Sequence, residues 1–386
     1  MVHKYLEQTD RFSIRKASAS RLDFIDIARS VAVILAIFAH AMHFHDWPQN
    51  LDGPSTILRF TMRTATPLFL LMFGLMLELV YVRKADKTGL KSVTKRLIVR
   101  SGQCYLGYAL TVLAGFISGY DNLEETILTL LFLKNSSLAD ILGFYCIALL
   151  VAIPVIWLRL KFGLWILIVF LVLIWIGDIY LKQYTWKDFG MINGWVGILL
   201  GTGTYPFGPS VWHGFTFVLV GMVIANSLST WREHNLQSFY KVSISFAIIA
   251  LAVILHLVNT ASLAEVFENF HRYTAYRAHN HYGYYAIGSF TGIVTLILLS
   301  KLYPLGQKLP SSASKLLVLG RSSLLSFSLG NIFLNLIPAS KAELFAPFAI
   351  QLGIILVSII FVQLTIMERL LNNDQSQVKQ QVTQTK

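Results

Sequence analysis

The sequence predicts an all-α polytopic membrane protein with about ten transmembrane helices and both termini in the cytoplasm. Of its 386 residues, 55% are hydrophobic and only 13% are charged, which is too apolar for the core of a water-soluble protein of this size. The apolar residues form runs that are long enough to cross about 30 Å of hydrocarbon at about 1.5 Å per residue. Most of the charged residues fall between these runs, so the composition settles the membrane class.

Ten apolar windows of about 20 residues define the predicted spans. They lie at 27–45, 64–82, 97–117, 138–158, 162–181, 209–228, 240–258, 282–302, 316–337 and 345–367. Residues 1–26 are predicted to form a cytoplasmic segment, 27–367 a single transmembrane domain, and 368–386 a disordered Gln-rich tail. The stretches 126–133 and 191–209 do not fit a plain span and are expected to lie in the outer interface or to re-enter the membrane.

The distribution of basic residues predicts the orientation. The formal net charge is +12, and the Lys and Arg residues fall in alternating loops, which is typical of cytoplasmic loops rather than of nucleic-acid binding. The loop after the second span is rich in Lys and Arg, whereas the next loop carries Asp121, Glu124 and Glu125. The loop 259–281 is mixed in charge, but long loops have little influence on orientation. We therefore expect the lipid bilayer as a partner and no nucleic acid.

The cysteine and histidine pattern predicts no metal site. Cys104 and Cys146 lie inside apolar runs, where an unpaired thiol behaves as a small hydrophobic side chain. His279 and His281 have no carboxylate or cysteine at a suitable ligand spacing.

The first span carries ionisable residues, which are expensive within a membrane and by default mark a functional site. Arg29 and His40 are eleven positions apart, about 20° beyond three full helical turns, so they share one helix face. Their axial separation of roughly 16 Å places Arg29 near the cytoplasmic mouth and His40 beyond the bilayer midplane. Asp26 lies one turn before Arg29 and can pair with it. The alternative is that Asp26 and Arg29 are interfacial anchors and that His40 only bonds a neighbouring carbonyl.

The order Asp26, two residues, Arg29, ten residues, His40 at the first span resembles the signature of the membrane acyltransferase family 3 superfamily. Ser30 replaces the usual glycine after the arginine. Other segments resemble the glucan-modifying succinyltransferase branch of that superfamily. These segments are 66–74, 140–145, 207–213 and 320–324, together with the basic residues Lys95, Arg96 and Arg100. Three positions depart from the usual pattern of the branch. Phe73 stands in place of a serine, and Gly208 and His213 differ within the motif formed by 207–209, Trp212 and His213.

The resemblance implies an integral membrane O-acyltransferase, an enzyme that transfers groups other than aminoacyl groups. It would move an acetyl or succinyl group from cytoplasmic acyl-CoA to a hydroxyl of an extracytoplasmic glycan, in the cell (inner) membrane. No permanently bound cofactor is implied, because acyl-CoA serves as a co-substrate.

The same resemblance suggests site residues. His40 is the predicted general base, because imidazole titrates near the working pH, and Asp26 would hold Arg29 in place. Arg96, Arg100 and Arg321 are predicted to bind the acyl-CoA phosphates, with anchoring at the cytoplasmic interface as the alternative role. On the outer side, Trp212, His213 and His43 are predicted to receive the sugar, with an interfacial aromatic belt as the alternative.

Two other function classes remain open from the sequence. A transporter or flippase for a glycan or lipid would use Asp26, Arg29 and His40 as an ion or substrate path, although the two halves of the chain show no matching broken helices. A structural or sensing membrane protein would not need buried charges on one helix face.

Overall fold

The computed structural model describes residues 22–44, 54–134, 138–204, 208–228, 236–303 and 317–336, with six single positions between 353 and 365. Throughout these residues the secondary structure is helical, apart from an isolated β-bridge between Thr185 and Gly203. The helices are α1 (Asp23–Phe44), α2 (Pro54–Arg63), α3 (Ala65–Met76), α4 (Arg83–Thr88), α5 (Leu90–Ile117), α6 (Leu123–Leu130), α7 (Asp140–Phe162), α8 (Trp165–Leu181), α9 (Asn193–Leu200), α10 (Val211–Ser227), α11 (Leu236–Thr260), α12 (Leu263–His271), α13 (Tyr282–Leu302) and α14 (Ser323–Leu336).

The all-α polytopic class is confirmed. Six helical segments in the described residues are long and apolar enough to cross a membrane: Asp23–Met42, Thr56–Thr88, Asp140–Phe162, Trp165–Tyr184, Leu236–Thr260 and Tyr282–Leu302. The apolar helices α10 and α14 are shorter, and polar residues in the first half of the 28-residue α5 lower its hydropathy. The predicted span 345–367 falls mostly outside the described residues, as do the predicted tail and residues 1–21.

The predicted non-spanning stretches both contain short helices. Helix α6 has eight residues and begins with a capping box, in which Asn122 Oδ1 accepts a hydrogen bond from the Glu125 backbone N–H at 2.8 Å. Helix α9 also has eight residues and ends at Gly201, whose φ of 72° is left-handed. Neither helix is long enough to cross hydrocarbon.

The centre of the bundle is the contact between α3 and α10, which glycines bring close together. A Cβ on Gly74 would lie 2.0 Å from the Val218 carbonyl oxygen, and one on Gly221 would lie 2.3 Å from that of Leu71. Such close backbone approach is the way in which membrane helices gain packing energy without help from water.

The other helices surround this pair. Helix α1 packs on α3 and α14, and α5 packs on α7 and α14. Helices α8 and α11 lie at the periphery, since only 17% and 22% of their apolar windows are buried. Their exposed aliphatic side chains form a surface suited to lipid.

Two amphipathic helices, α2 and α12, cover the end of the bundle near the C-terminus of α1. Phe60 of α2 stacks on Phe267 of α12 with ring centroids 4.5 Å apart. The Arg63 Nε donates a hydrogen bond to the His271 carbonyl oxygen at 2.9 Å. We call this pair of helices the roof.

Candidate active site

The site begins at the first turn of α1, where two carboxylates meet two guanidinium groups. Arg29 Nη1 lies 3.8 Å from Asp26 Oδ1, which confirms the pairing expected from their spacing. Arg321 reaches the same turn, with its Nε 3.7 Å from Asp26 Oδ2 and its Nη2 3.7 Å from Asp23 Oδ1. Asp26 is buried, so these cations compensate its charge in a region with little water.

Close backbone approach places Arg321 beside α1. A Cβ on Gly320 would lie only 1.8 Å from the Asp26 carbonyl oxygen, so no larger residue fits there without a shift of the backbone. Arg29 Nη2 also donates a hydrogen bond of 2.6 Å to Ser323 Oγ, on the first residue of α14. The start of α14 is therefore joined to α1 by packing and by a charge-assisted hydrogen bond.

Further along α1, His40 is joined to the same helix. Its Nδ1 lies 2.7 Å from Oδ1 of Asn331, a residue that is fully buried. Because an amide oxygen only accepts hydrogen bonds, Nδ1 carries the hydrogen, and in the neutral imidazole Nε2 carries the lone pair. The Phe327 ring packs edge-on against His40 at 5.7 Å between centroids. The imidazole thus has one defined tautomer and orientation.

One face of α14 supplies all three of these contacts. Ser323, Phe327 and Asn331 follow one another at intervals of four residues, which is the spacing of a single helix face. Since Ser323 meets Arg29 and Asn331 meets His40, α1 and α14 run in the same direction. These helices correspond to the first and ninth predicted spans, which cross the membrane in the same direction because both are odd-numbered.

A cavity of about 680 Å³ lies beside this helix pair. Arg29, Arg100 and Arg321 line it together, and most of its remaining wall is apolar or aromatic. Phe327 lines the cavity and also contacts the His40 ring, whereas His40 itself is not among the lining residues. The arrangement can bind an anion among the arginines and present an apolar chain towards a histidine.

The acyltransferase 3 family, described as an acyltransferase domain, matches residues 22–367 of the chain. The chain belongs to the acyltransferase 3 family. No curated protein matches it. It is therefore a multi-pass membrane acyltransferase, which transfers groups other than aminoacyl groups.

In this acyltransferase, the predicted donor-binding arginines differ in their placement. Arg100 and Arg321 line the cavity with Arg29, whereas Arg96 is exposed one turn earlier on α5 and is not among the lining residues. The Arg100 Nη1 donates a hydrogen bond of 3.1 Å to Gln103 Oε1, which directs its side chain along α5. A role for Arg96 in donor binding stays a prediction.

Of the predicted acceptor residues of the acyltransferase, Trp212 and His213 are not among the residues that line this cavity. Both ring nitrogens of the buried His213 have protein partners: Nδ1 lies 2.8 Å from Ser210 Oγ, and Nε2 lies 2.9 Å from Asp178 Oδ1. The Trp212 Nε1 donates to the Ile174 carbonyl oxygen at 3.1 Å. The side chain of His43 lies outside the part of the structure that is described. Contact of these residues with the sugar stays a prediction.

Sequence reasoning missed Asn331, the partner of His40, and placed Ser323 in a motif without identifying it as the partner of Arg29. The sequence signal for these contacts was a set of polar residues, at positions 323, 331 and 335, on one side of an otherwise apolar helix. That signal alone does not identify the partners, because 291 residues separate His40 from Asn331.

Proposed function

We propose that this acyltransferase moves an acyl group from acyl-CoA, bound from the cytoplasm, to a hydroxyl of a glycan on the outer side of the cell (inner) membrane. The observation that carries the proposal is the orientation of His40, held by Asn331 and adjoining an arginine-lined cavity through Phe327.

The cavity has the character of a donor site. The three guanidinium groups that line it suit the phosphates of a nucleotide-bearing thioester, because Arg binds phosphate with paired, charge-assisted hydrogen bonds. The apolar and aromatic wall suits an uncharged chain such as pantetheine. A volume of about 680 Å³ falls within the range of small-molecule and cofactor sites, about 300–1,000 Å³.

His40 provides the base for the chemical step. The sugar hydroxyl oxygen attacks the thioester carbonyl carbon while His40 Nε2 accepts the hydroxyl proton. Collapse of the tetrahedral intermediate forms the ester and releases the CoA thiolate, which then takes a proton from the imidazolium. The Asn331 oxygen stabilises the Nδ1–H bond throughout, so the imidazole returns to the same tautomer after each turnover.

The test is His40→Gln, with His256→Gln as the matched control. His256 is an exposed histidine on the peripheral helix α11, so its replacement changes the same residue type away from the cavity. Purified proteins are incubated with labelled acetyl-CoA or succinyl-CoA and with glycan extracted from the cell envelope. Loss of a general base costs about 10²–10⁴ in rate, so we expect His40→Gln to be nearly inactive and His256→Gln to equal the wild type.

Two results would contradict the proposal. Wild-type acyl transfer by His40→Gln would remove His40 from the chemistry. A wild-type protein that neither transfers nor hydrolyses either thioester, but moves a labelled glycan or lipid across vesicles, would favour a transporter or flippase.

A further inference from the structure

The outer segment between α8 and α10 holds an exposed tryptophan in a fixed position. The Trp186 backbone N–H donates to the Gly203 carbonyl oxygen at 3.0 Å, and the Gly203 N–H donates to the Tyr184 carbonyl oxygen at 3.1 Å. These bonds close the segment from Lys182 to Thr204 into a loop with its ends tied together.

The backbone of Trp186 is strained. Its φ is 67°, in the left-handed region that bulky residues rarely occupy, and 62% of the residue is exposed. A surface tryptophan gains no burial that would offset this strain. Glycine would adopt the same backbone without cost, so the presence of tryptophan here suggests that the ring itself has a function.

Hydrogen bonds further along the loop keep this geometry in place. Asp188 Oδ1 accepts from the Asn193 side-chain amide at 2.5 Å and from the Gly190 backbone N–H at 2.8 Å. Asn193 Oδ1 in turn accepts from the Phe189 backbone N–H at 3.0 Å. The bonds from Asn193 and Gly190 hold the pKa of Asp188 below its usual value, so the carboxylate stays ionised as an acceptor.

Two polar side chains lie against the aromatic rings of this loop. The exposed His279 ring lies 5.6 Å from the Trp186 ring at an angle of 59°. Lys187 directly follows Trp186 in the sequence. Its Nζ lies 5.2 Å from the Tyr184 ring centroid and 5.8 Å from that of Phe189. The loop therefore presents the Trp186 ring beside an imidazole, and the rings of Tyr184 and Phe189 beside an ammonium group.

We infer that Trp186, His279 and Lys187 form a sugar-binding platform, which contacts the acceptor glycan outside the membrane. A pyranose ring has one face of C–H groups, which packs on the electron-rich face of an aromatic ring, and an edge of hydroxyls for polar partners. An interfacial anchor would need the indole but not the strained backbone. The inference rests on the proposed function and adds the surface that receives its acceptor.

A buried network fixes the platform to the bundle. Asp178 Oδ2 pairs with Lys182 Nζ at 2.8 Å, at the start of the loop, and Asp178 Oδ1 bonds His213 Nε2. On the His279 side, Asn280 Oδ1 accepts from the Ser210 backbone N–H at 3.1 Å and from the Tyr285 hydroxyl at 2.7 Å. His213 in this arrangement acts as a positioning residue beneath the platform.

The test is Trp186→Gly, which removes the ring and relieves the strain, compared with Trp186→Phe, which keeps an aromatic face. The matched control is Trp165→Ala, since Trp165 is a tryptophan of similar exposure, 58%, at the other end of α8. Two quantities are measured: acyl groups on extracytoplasmic glycan in cells with equal amounts of each variant in the membrane, and hydrolysis of acetyl-CoA and succinyl-CoA by purified protein.

We expect Trp186→Gly to lower glycan acylation about tenfold and to leave thioester hydrolysis within about twofold of the wild type, because the donor site is untouched. Trp186→Phe should restore most of the acylation, and Trp165→Ala should resemble the wild type. Undiminished acylation by Trp186→Gly, an equal loss in Trp165→Ala, or a parallel loss of hydrolysis would overturn the platform. Failure of the wild type in both assays would overturn the proposed function itself.

Discussion

The Asn331 side chain helps to orient His40, at some distance along α1 from the arginine contacts. Asn331 fixes the imidazole through Nδ1 at 2.7 Å, while Arg29, about three turns earlier on the same helix, is held by Ser323. Proton transfer and donor binding are thus assigned to different residues at different depths. Substitutions at the two places should therefore affect different kinetic constants.

Asn331→Ala should lower kcat by about tenfold or more and leave the KM for acyl-CoA nearly unchanged. The alanine removes the hydrogen bond that sets the His40 tautomer, but it does not touch the arginines. Steady-state kinetics on purified protein checks this. Asn335→Ala is the control, because Asn335 is a buried asparagine one turn later that bonds only the Thr111 carbonyl oxygen in the described contacts. A rise in KM with an unchanged kcat would contradict the assignment of Asn331 as a positioning residue.

Arg100→Gln should raise the KM for acyl-CoA more than Arg96→Gln does. Arg100 lines the cavity, and a hydrogen bond to a charged group contributes about 1.5–3 kcal/mol, so its loss corresponds to a KM increase of about tenfold to a hundredfold. Both variants remove one positive charge from α5, so a general effect of charge cancels in the comparison. Equal KM values for the two variants would place the phosphates elsewhere.

Among individual residues, the sequence predicted the site residues on α1 but not the residues of α14 that they contact. Asp26, Arg29 and His40 lie within one helix, so their spacing alone fixes the shared face. Ser323 and Asn331 are almost 300 positions away, and only the packing of α14 against α1 brings them into contact. His213 was predicted as a contact of the sugar from its place in a motif, whereas the structure surrounds it with Ser210 and Asp178.

At the scale of helices, the glycine contact between α3 and α10 should be sensitive to a single methyl group. Gly74→Ala would place a Cβ 2.0 Å from the Val218 carbonyl oxygen, and a backbone atom in a packed helix cannot move aside cheaply. We expect a loss of about 1–3 kcal/mol in stability, seen as a lower midpoint of thermal unfolding in detergent.

The control for this change is Gly102→Ala on α5, where nothing lies within 4 Å of the added Cβ. That variant should be neutral or slightly stabilising, since alanine favours helix over glycine. An equal midpoint for Gly74→Ala and Gly102→Ala would contradict the close packing of α3 on α10.

The first turn of α13 should become less stable as the pH falls. Burial lowers the pKa of His281 to about 4, and the charges of Lys182 and His279 act in the same direction while Asp178 opposes them. Between about pH 6.5 and pH 4 the unfolded chain binds more protons than the folded protein at this residue. The stabilisation present above about pH 6.5 is therefore lost progressively down to about pH 4.

Hydrogen exchange in the segment 276–290 at pH 7 and pH 5 measures this loss. His281 Nδ1 accepts a hydrogen bond from the Gly283 backbone N–H at 3.1 Å, and protonation removes that acceptor. His281→Asn keeps an acceptor at the N-cap without a titrating group, so its protection should depend less on pH. An equal pH dependence in the variant and the wild type would assign the effect to another group.

The sequence predicted these elements well where hydropathy determines them and less well elsewhere. The window at 282–302 coincides with α13, because that helix is apolar throughout. Helix α5 begins at Leu90 rather than 97, since a helix continues into polar surroundings that a hydropathy window excludes. The strained loop around Trp186 lies within no predicted element, because its shape depends on hydrogen bonds between residues that are not neighbours in sequence.

Over the whole molecule, the two ends of α1 have different surroundings. The arginine-lined cavity and the first turn of α1 lie at one depth, and the roof of α2 and α12 lies at the other end of α1. His40 lies between them on the same helix as Arg29. Under the proposed function, the donor approaches the imidazole from the side of the cavity and the acceptor from the side of the roof.

Reconstitution into sealed vesicles of known orientation tests whether the acyl group is transferred from one side of the membrane to the other through His40. Labelled acyl-CoA is supplied only on the side of Arg29 and Arg321, and cell-envelope glycan only on the side of the roof. We predict that the glycan becomes acylated, that reversing the two substrates abolishes the reaction, and that His40→Gln abolishes it in both arrangements. Equal acylation in both arrangements, or transfer that persists without His40, would contradict a reaction across the membrane through this histidine.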